Sequence, residues 1–241
     1  QEGVDWSDNG SGVLTFLGPM AEVSGDKIEV RYAHYGQPVA TPVAPSHVYS
    51  TVSTNTGSTA TVSGYGPLAA GQRMFLALAN DPNNTPTTPS GWTVVGSALA
   101  GSLLLTLYTK VSVGGEISQS VTIPGHTGSS LLQLYVYGPC EIISTVITTS
   151  GGVHVANITT GTVTGAMAIE FIAGQTGGLK SGSMMLLDSD LTQRNTGFTG
   201  YNGLRSGDAS AVLGGFVDGW GMDGLDQVTG ALASILVGVE A

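Results

Sequence analysis

Leu103-Leu-Leu-Thr-Leu-Tyr-Thr-Lys-Val111 follows Gly101-Ser102 and is left through Gly114-Gly115. Its apolar run from Leu103 to Tyr108 is broken only by Thr106. A run this short between glycine turns has the length of a strand. It falls well short of the ~18 residues that cross a membrane as a helix. The same pattern extends in both directions. Val48–Thr54, Ser58–Ser63, Arg73–Ala79 and Thr93–Ala98 read as strands before it, Ser102–Val111 is the strand it forms, and Ile117–Ile123 follows. Ser130–Tyr137, Glu141–Thr149, Gly152–Ile158, Ala166–Ala173, Asp208–Phe216 and Ala231–Glu240 read as strands after it. Turn residues punctuate them at roughly 8–12-residue spacing, the signature of a sandwich or barrel. Helical periodicity is nearly absent; the one candidate turn of helix is Met184–Leu191, which Gly182 and Asp188 weaken. The expected fold is all-β, an antiparallel sandwich of jelly-roll type over residues 47–241.

Two segments precede it. Residues 1–37 read as a separate β-rich attachment piece. Asp5–Gly12 is turn-rich, and Val13-Leu-Thr-Phe-Leu17 is a short strand ended by Gly18-Pro19. Lys27–Tyr35 alternates, with Ile28, Val30 and Tyr32 on one face. An isolated hairpin is marginal in water. Val13, Phe16, Ile28, Val30 and Tyr32 are therefore the expected anchor, completing their core against another surface. Residues 38–46 contain Pro38, Pro42 and Pro45 and read as an extended spacer.

Composition narrows the function. Of 241 residues only 10% are charged, against ~25% in an ordinary domain, and glycine numbers 37. The net charge is −10, and the seven cations (Lys27, Arg31, Arg73, Lys110, Lys180, Arg194 and Arg205) are scattered. A phosphate backbone or an anionic membrane needs clustered cations, so neither is an expected partner. Cys140 is the only cysteine, so no intramolecular disulfide forms. A free cysteine beside an apolar strand reads as a small buried hydrophobe.

Pro86-Thr-Thr-Pro-Ser-Gly-Trp-Thr-Val-Val-Gly96, then Leu103–Val111 with its Tyr-x-Lys ending, then Gly114-Gly-Glu116, resembles a β-sandwich domain of bacteriophage structural proteins. The resemblance covers roughly residues 47–241, and its motifs are architectural. It implies a virion part assembled in the host cytoplasm: a capsid decoration or head-fibre protein, or a tail protein. It further implies other virion proteins as partners and a homo-oligomer. It carries over no catalytic residue.

Sites read from the residues are few. No G-x-S-x-G elbow is present, no two of His34, His47, His126 and His154 have ligand spacing, and no carboxylate pair is marked as acid and base. No enzyme and no cofactor are expected. The acidic stretch Asp218–Asp226 offers Asp218, Asp223 and Asp226 as oxygen ligands for calcium, against the plainer reading that Asp and Gly occupy a turn. Trp92, Tyr201 and Trp220 fall in or beside glycine-rich loops. They read as subunit contacts or, in the alternative of a tail-fibre or surface receptor-binding module, as glycan contacts. For Trp92 the other expectation is a plug at one end of the sandwich.

Overall fold

The computed structural model describes residues 6–8, 14–16, 43–153, 157–176, 184–186, 192–199, 202–210, 216–223 and 229–241. Every regular element among them is a strand, and every pairing is antiparallel. By contacts the chain divides into residues 1–40 and 41–241.

The first unit contributes one small ladder. β1 (Trp6–Asp8) pairs with β2 (Leu14–Phe16), with Trp6 directly opposite Phe16. Trp6–Asp8 lies in the stretch read above as turn-rich. Val13, Ile28, Val30 and Tyr32, expected to anchor with Phe16, lie outside the described residues.

The second unit has fifteen described strands. They are β3 (His47–Thr56), β4 (Thr59–Ser63), β5 (Arg73–Asn80), β6 (Thr93–Ala100), β7 (Leu103–Val111), β8 (Ser118–Thr122) and β9 (Ser129–Tyr137). After these come β10 (Glu141–Val153), β11 (Asn157–Val163), β12 (Met167–Thr176), β13 (Met184–Leu186), β14 (Thr192–Thr199), β15 (Asn202–Ser210), β16 (Phe216–Asp223) and β17 (Thr229–Glu240). The weak helical candidate contains β13 instead.

The strand order resolves the span into two halves of identical connectivity. The first half has a large sheet ordered β3-β9-β5-β7-β6 and a small sheet β4-β8; the second has β10-β17-β12-β15-β14 and β11-β16-β13. In each half the first strand lies beside the last, the last beside the third, and the second beside the penultimate. This is the connectivity of a jelly roll. The second half's small sheet has a third strand, β13. The first half marks the same place with one bridge, where Thr87 N–H donates to Thr122 O at 2.8 Å.

The register repeats as well. His47 faces Tyr137 and Tyr49 faces Val136 across a bulge; Ile142 faces Val239 and Ser144 faces Gly238 across its counterpart. A second bulge separates Val94 from Gly96 on β6, and its match separates Gln193 from Asn195 on β14. Thr59-Ala-Thr-Val-Ser-Gly64 and Thr160-Gly-Thr-Val-Thr-Gly165 occupy the same place in the two halves. Val62 and Val163 are both buried, and Gly64 and Gly165 both have positive φ, at 84° and 140°. That left-handed backbone favours glycine over any residue with a Cβ.

The two large sheets pack face to face and share the principal core. Phe75, Leu105, Leu107 and Tyr135 come from one, and Ile169, Phe171, Ile235 and Val237 from the other. Phe75 and Tyr135 both meet the Phe171 ring, at centroid distances of 6.0 and 5.3 Å. A second core fills the first half between its own sheets, with Val62, Leu76, Tyr108 and Val121 among its members. Contacts between the halves come in exchange-related pairs: β3 touches β14 as β10 touches β6, and β9 touches β14 as β17 touches β6. A pseudo-twofold axis therefore relates the halves, and the interface is self-complementary in the way of a C2 dimer. Its edges are knob-and-gap contacts. A Cβ on Gly96 would come within 2.5 Å of Ile147 Cδ1, and one on Gly197 within 2.5 Å of Val52 Cγ2.

The halves are joined at Gly138–Cys140, where Arg73 holds the crossing. Its Nε donates to Cys140 O at 2.8 Å and its Nη2 reaches Glu141 Oε2 at 3.0 Å. Cys140 is buried, and burial pushes its thiol up to about 11.

Candidate functional site

Two outward surfaces of the first half are uncharged. The small sheet presents a face of hydroxyls: Thr59 opposite Thr122, Thr61 opposite Ser120, and Ser63 opposite Ser118. Alternation along β4 turns Ala60 and Val62 into the core and the hydroxyl residues outward. The Thr61 and Ser120 hydroxyls are 2.8 Å apart. Beside this face lies a groove of about 450 Å³, floored by β6 and β7 and walled by the Asn80–Trp92 loop. Val94, Ser97, Leu99 and Thr106 are on its floor, and Pro82 and Pro86 on its wall. Val94 and Leu99 are 45% and 56% exposed. No Asp, Glu, Lys, Arg or His lines it. Such a groove binds by shape, dispersion and hydroxyl hydrogen bonds.

The loop that forms the wall is internally fixed. Asn80 Nδ2 donates to Asp81 O and Asn84 O at 2.7 and 2.8 Å, and Asn84 Nδ2 reaches Pro124 O at 3.1 Å. Trp92 ends the loop. It is 7% exposed, sits in the first half's own core, and donates its indole N–H to Gln119 Oε1 at 3.2 Å. It plugs the sandwich, and its ring faces are not offered to a sugar.

A turn at the far end of β7 carries a concentrated charge. The Glu116 carboxylate accepts from Ser112 Oγ (2.6 Å), Val113 N–H (3.0 Å) and Gly114 N–H (3.0 Å), and pairs with Lys110 Nζ at 3.3 Å. Burial opposes its ionisation. The hydrogen bonds from Ser112 and the backbone, with Lys110, outweigh that and pull the carboxyl down to about 2. A carboxyl depressed on folding stabilises above its unfolded value, near 4.5, and that contribution drains away as pH falls from there toward about 2. Glu116→Gln is expected to cost about 2 kcal/mol at neutral pH. In urea titrations from neutral to acid pH, the difference from wild type should shrink below about pH 4.5 and close where Glu116 is protonated.

The other ionisable cluster is internal. Arg194, the extra residue of the β14 bulge, grips Asp208 with Nε to Oδ2 at 2.8 Å and Nη2 to Oδ1 at 2.9 Å. Across the interface the Tyr137 hydroxyl donates to Asp208 Oδ2 at 2.5 Å. Next to it, Ser206 hydrogen-bonds both Gln133 Oε1 and the Tyr135 hydroxyl, and Gln133 Nε2 donates to Leu204 O at 3.2 Å. Burial, then the Asp208 charge, raises the Tyr137 phenol well above its usual value. His47 packs edge-on to Tyr137; burial and Arg194 lower its pKa against the pull of Asp208. The bidentate bond to Asp208 strengthens the hold of Arg194 on its proton. These groups join the halves and are closed to solvent on the Tyr137 and Asp208 side.

The remaining expected sites are not brought together. Asp218–Asp223 is not a turn: it lies in β16, with Asp218 opposite Gly161 and Asp223 opposite Met184. Five strand residues separate their backbone positions by roughly 16 Å. Asp226 lies outside the described residues. Among the described residues no group of three or more His, Cys, Asp or Glu is placed to hold a metal. Trp220 stands in β16 opposite Ile158, in a strand rather than a loop, and Tyr201 lies outside the described residues. The contact groove itself is missed from sequence, because its floor and wall come from segments whose joint surface only the fold creates.

The class defined by fold and surface is a tandem of two antiparallel jelly-roll sandwiches related by a pseudo-dyad. No family model matches the chain, no curated protein matches it, and no solved structure matches it.

Proposed function

We propose that this chain is a non-enzymatic structural component of a tailed-phage virion, a capsid decoration or head-fibre protein that attaches through its N-terminal segment. The observation that carries the reading is the character of the outward faces. The hydroxyl sheet of β4 and β8 and the adjoining groove are uncharged surfaces suited to area-based contact. An unpaired charge in such a contact is costly, so a chain with 10% charged residues suits it. The division at residue 40 supports a separate attachment piece, and the sequence resemblance supplies the virion setting. Specific contacts of this kind remove ~1,200–2,000 Å² from water.

The test uses virions prepared without this protein. The full chain is expected to co-sediment with them, and a chain lacking residues 1–37 is expected to stay in the supernatant while retaining its β circular dichroism. Equal particle binding by the truncated chain removes the anchor, and failure of the full chain to bind removes the virion assignment.

A further inference from the structure

The pseudo-dyad places two equivalent sites at opposite ends of the contact between the halves, and the chain fills them oppositely. At one end stand Tyr137, Arg194, Ser206 and Asp208, joined by the hydrogen bonds above. The register assigns their counterparts at the other end. Tyr137 corresponds to Val239, Arg194 to Val95, Ser206 to Leu107 and Asp208 to Thr109. Leu107 and Val239 are core residues, with Val95 packed against them. One backbone geometry is thus closed once by a charged, hydrogen-bonded network and once by apolar side chains with Thr109, whose hydroxyl donates to Met74 O at 3.1 Å in its own sheet. Since the apolar solution is present in the same molecule, closing the sheets does not itself require a buried ion pair. Buried ion pairs are weak stabilisers, and their better-attested use is to fix which partner fits.

We propose that the polar end is a recognition key that makes the large-sheet face of each half fit the unlike half and reject the like half of a second copy. A self-complementary interface between similar halves invites that error, because two first halves or two second halves would meet with the same backbone geometry. The side chains forbid it. In a pairing of two second halves, Val239 replaces Tyr137 over the Asp208–Arg194 pair, and the buried carboxylate loses its third hydrogen bond. In a pairing of two first halves, the Tyr135 and Tyr137 hydroxyls face Leu107 and Thr109 where Ser206 and Asp208 should be. Only the unlike pairing satisfies both ends at once, so the key directs each half to an unlike half, and the short link Gly138–Cys140 makes the one in its own chain the nearest.

Two symmetrised full-length chains test this. Gln133→Ile/Tyr135→Val/Tyr137→Val/Arg194→Val/Ser206→Leu/Asp208→Thr gives the polar end the side chains of its counterpart, and Val95→Arg/Leu107→Ser/Thr109→Asp/Ile235→Gln/Val237→Tyr/Val239→Tyr does the reverse. Either change removes the distinction between like and unlike halves. Sedimentation velocity over a wide concentration range should show, for a symmetrised chain with wild-type circular dichroism, an added association step at least about tenfold tighter than any shown by wild type. A folded symmetrised chain that associates no more than wild type overturns the proposal. Should neither fold, Arg194→Lys keeps the charge and loses the bidentate fork. Its yield of wild-type-sized species on refolding should fall as concentration rises, more steeply than for wild type. An unchanged yield overturns the proposal equally.

Discussion

Asp208→Ala is expected to destabilise the protein by about 3–5 kcal/mol, the range for removing one partner from a buried ion pair. The Asp208 side chain is 3% exposed, and its two oxygens accept three hydrogen bonds, two from Arg194 and one from Tyr137. Alanine would leave the guanidinium without its counter-charge and the phenol without its acceptor. Water can reach Arg194, whose side chain is 30% exposed, but not the Tyr137 hydroxyl, so the loss still exceeds what a surface pair is worth. For a chain of this length it corresponds to a fall in Tm of roughly 10 °C. Adding Arg194→Val and Tyr137→Val to Asp208→Ala should recover most of the loss, since no orphaned polar group then remains. Urea midpoints for the single and triple variants check both statements. A single variant within about 1 kcal/mol of wild type would mean that the cluster is hydrated and does not join the halves.

The same cluster explains where the sequence was hard to read. Strands of the first half announce themselves: Arg73–Ala79 was expected and Arg73–Asn80 is found, with every residue after Arg73 buried. Local composition marks no strand over β14 and points to Asp208–Phe216, six residues late, for β15. Strand recognition depends on apolar residues at inward positions, and β15 puts Ser206 and Asp208 inward. Their partners Tyr135 and Tyr137 lie 71 residues away, so nothing local reveals that those polar residues are satisfied. β16 was read as an acidic turn because it is rich in Gly and Asp. Its conformation comes from its ladders with β11 and β13, which local composition does not encode. The repeat within residues 47–241 is not legible for a related reason. The halves share connectivity and register, yet the clearest shared run is Thr-x-Thr-Val-(Ser/Thr)-Gly, short and made of the commonest residues of the chain. Trp92 lay within reach of sequence reasoning, because a tryptophan leading out of a polar loop into a strand has an end of the sandwich to fill.

Gly238→Ala is the second substitution expected to have a large effect, and it tests the sheet rather than the interface. β17 lies between β10 and β12, so an error in its placement reaches both neighbours. At its end the chain entering β12 passes so close that a Cβ on Gly238 would be 1.9 Å from Thr164 O and 2.7 Å from Ser144 Oγ. The obstacle cannot swing aside. Thr164 is held at both backbone groups, its N–H donating to Ser144 Oγ and its carbonyl accepting from that hydroxyl, each at 2.8 Å. Gly165 approaches from the other side, where its own Cβ would meet Val239 N at 2.8 Å, and Ala166 N–H donates to Val239 O at 2.9 Å. Relief therefore requires moving backbone, at the expense of ladder bonds on one side of β17. A cost of about 4 kcal/mol is expected, at the upper end for single substitutions. Gly66→Ala is the control: a Cβ there meets nothing within 4 Å, and the change should fall within about 0.5 kcal/mol of wild type. Parallel urea denaturation of the two variants separates close backbone approach from the loss of a glycine as such. Equal midpoints for both would show that β17 does not run against Thr164. The register of the second half, from which its equivalence to the first is read, would then have to be redrawn.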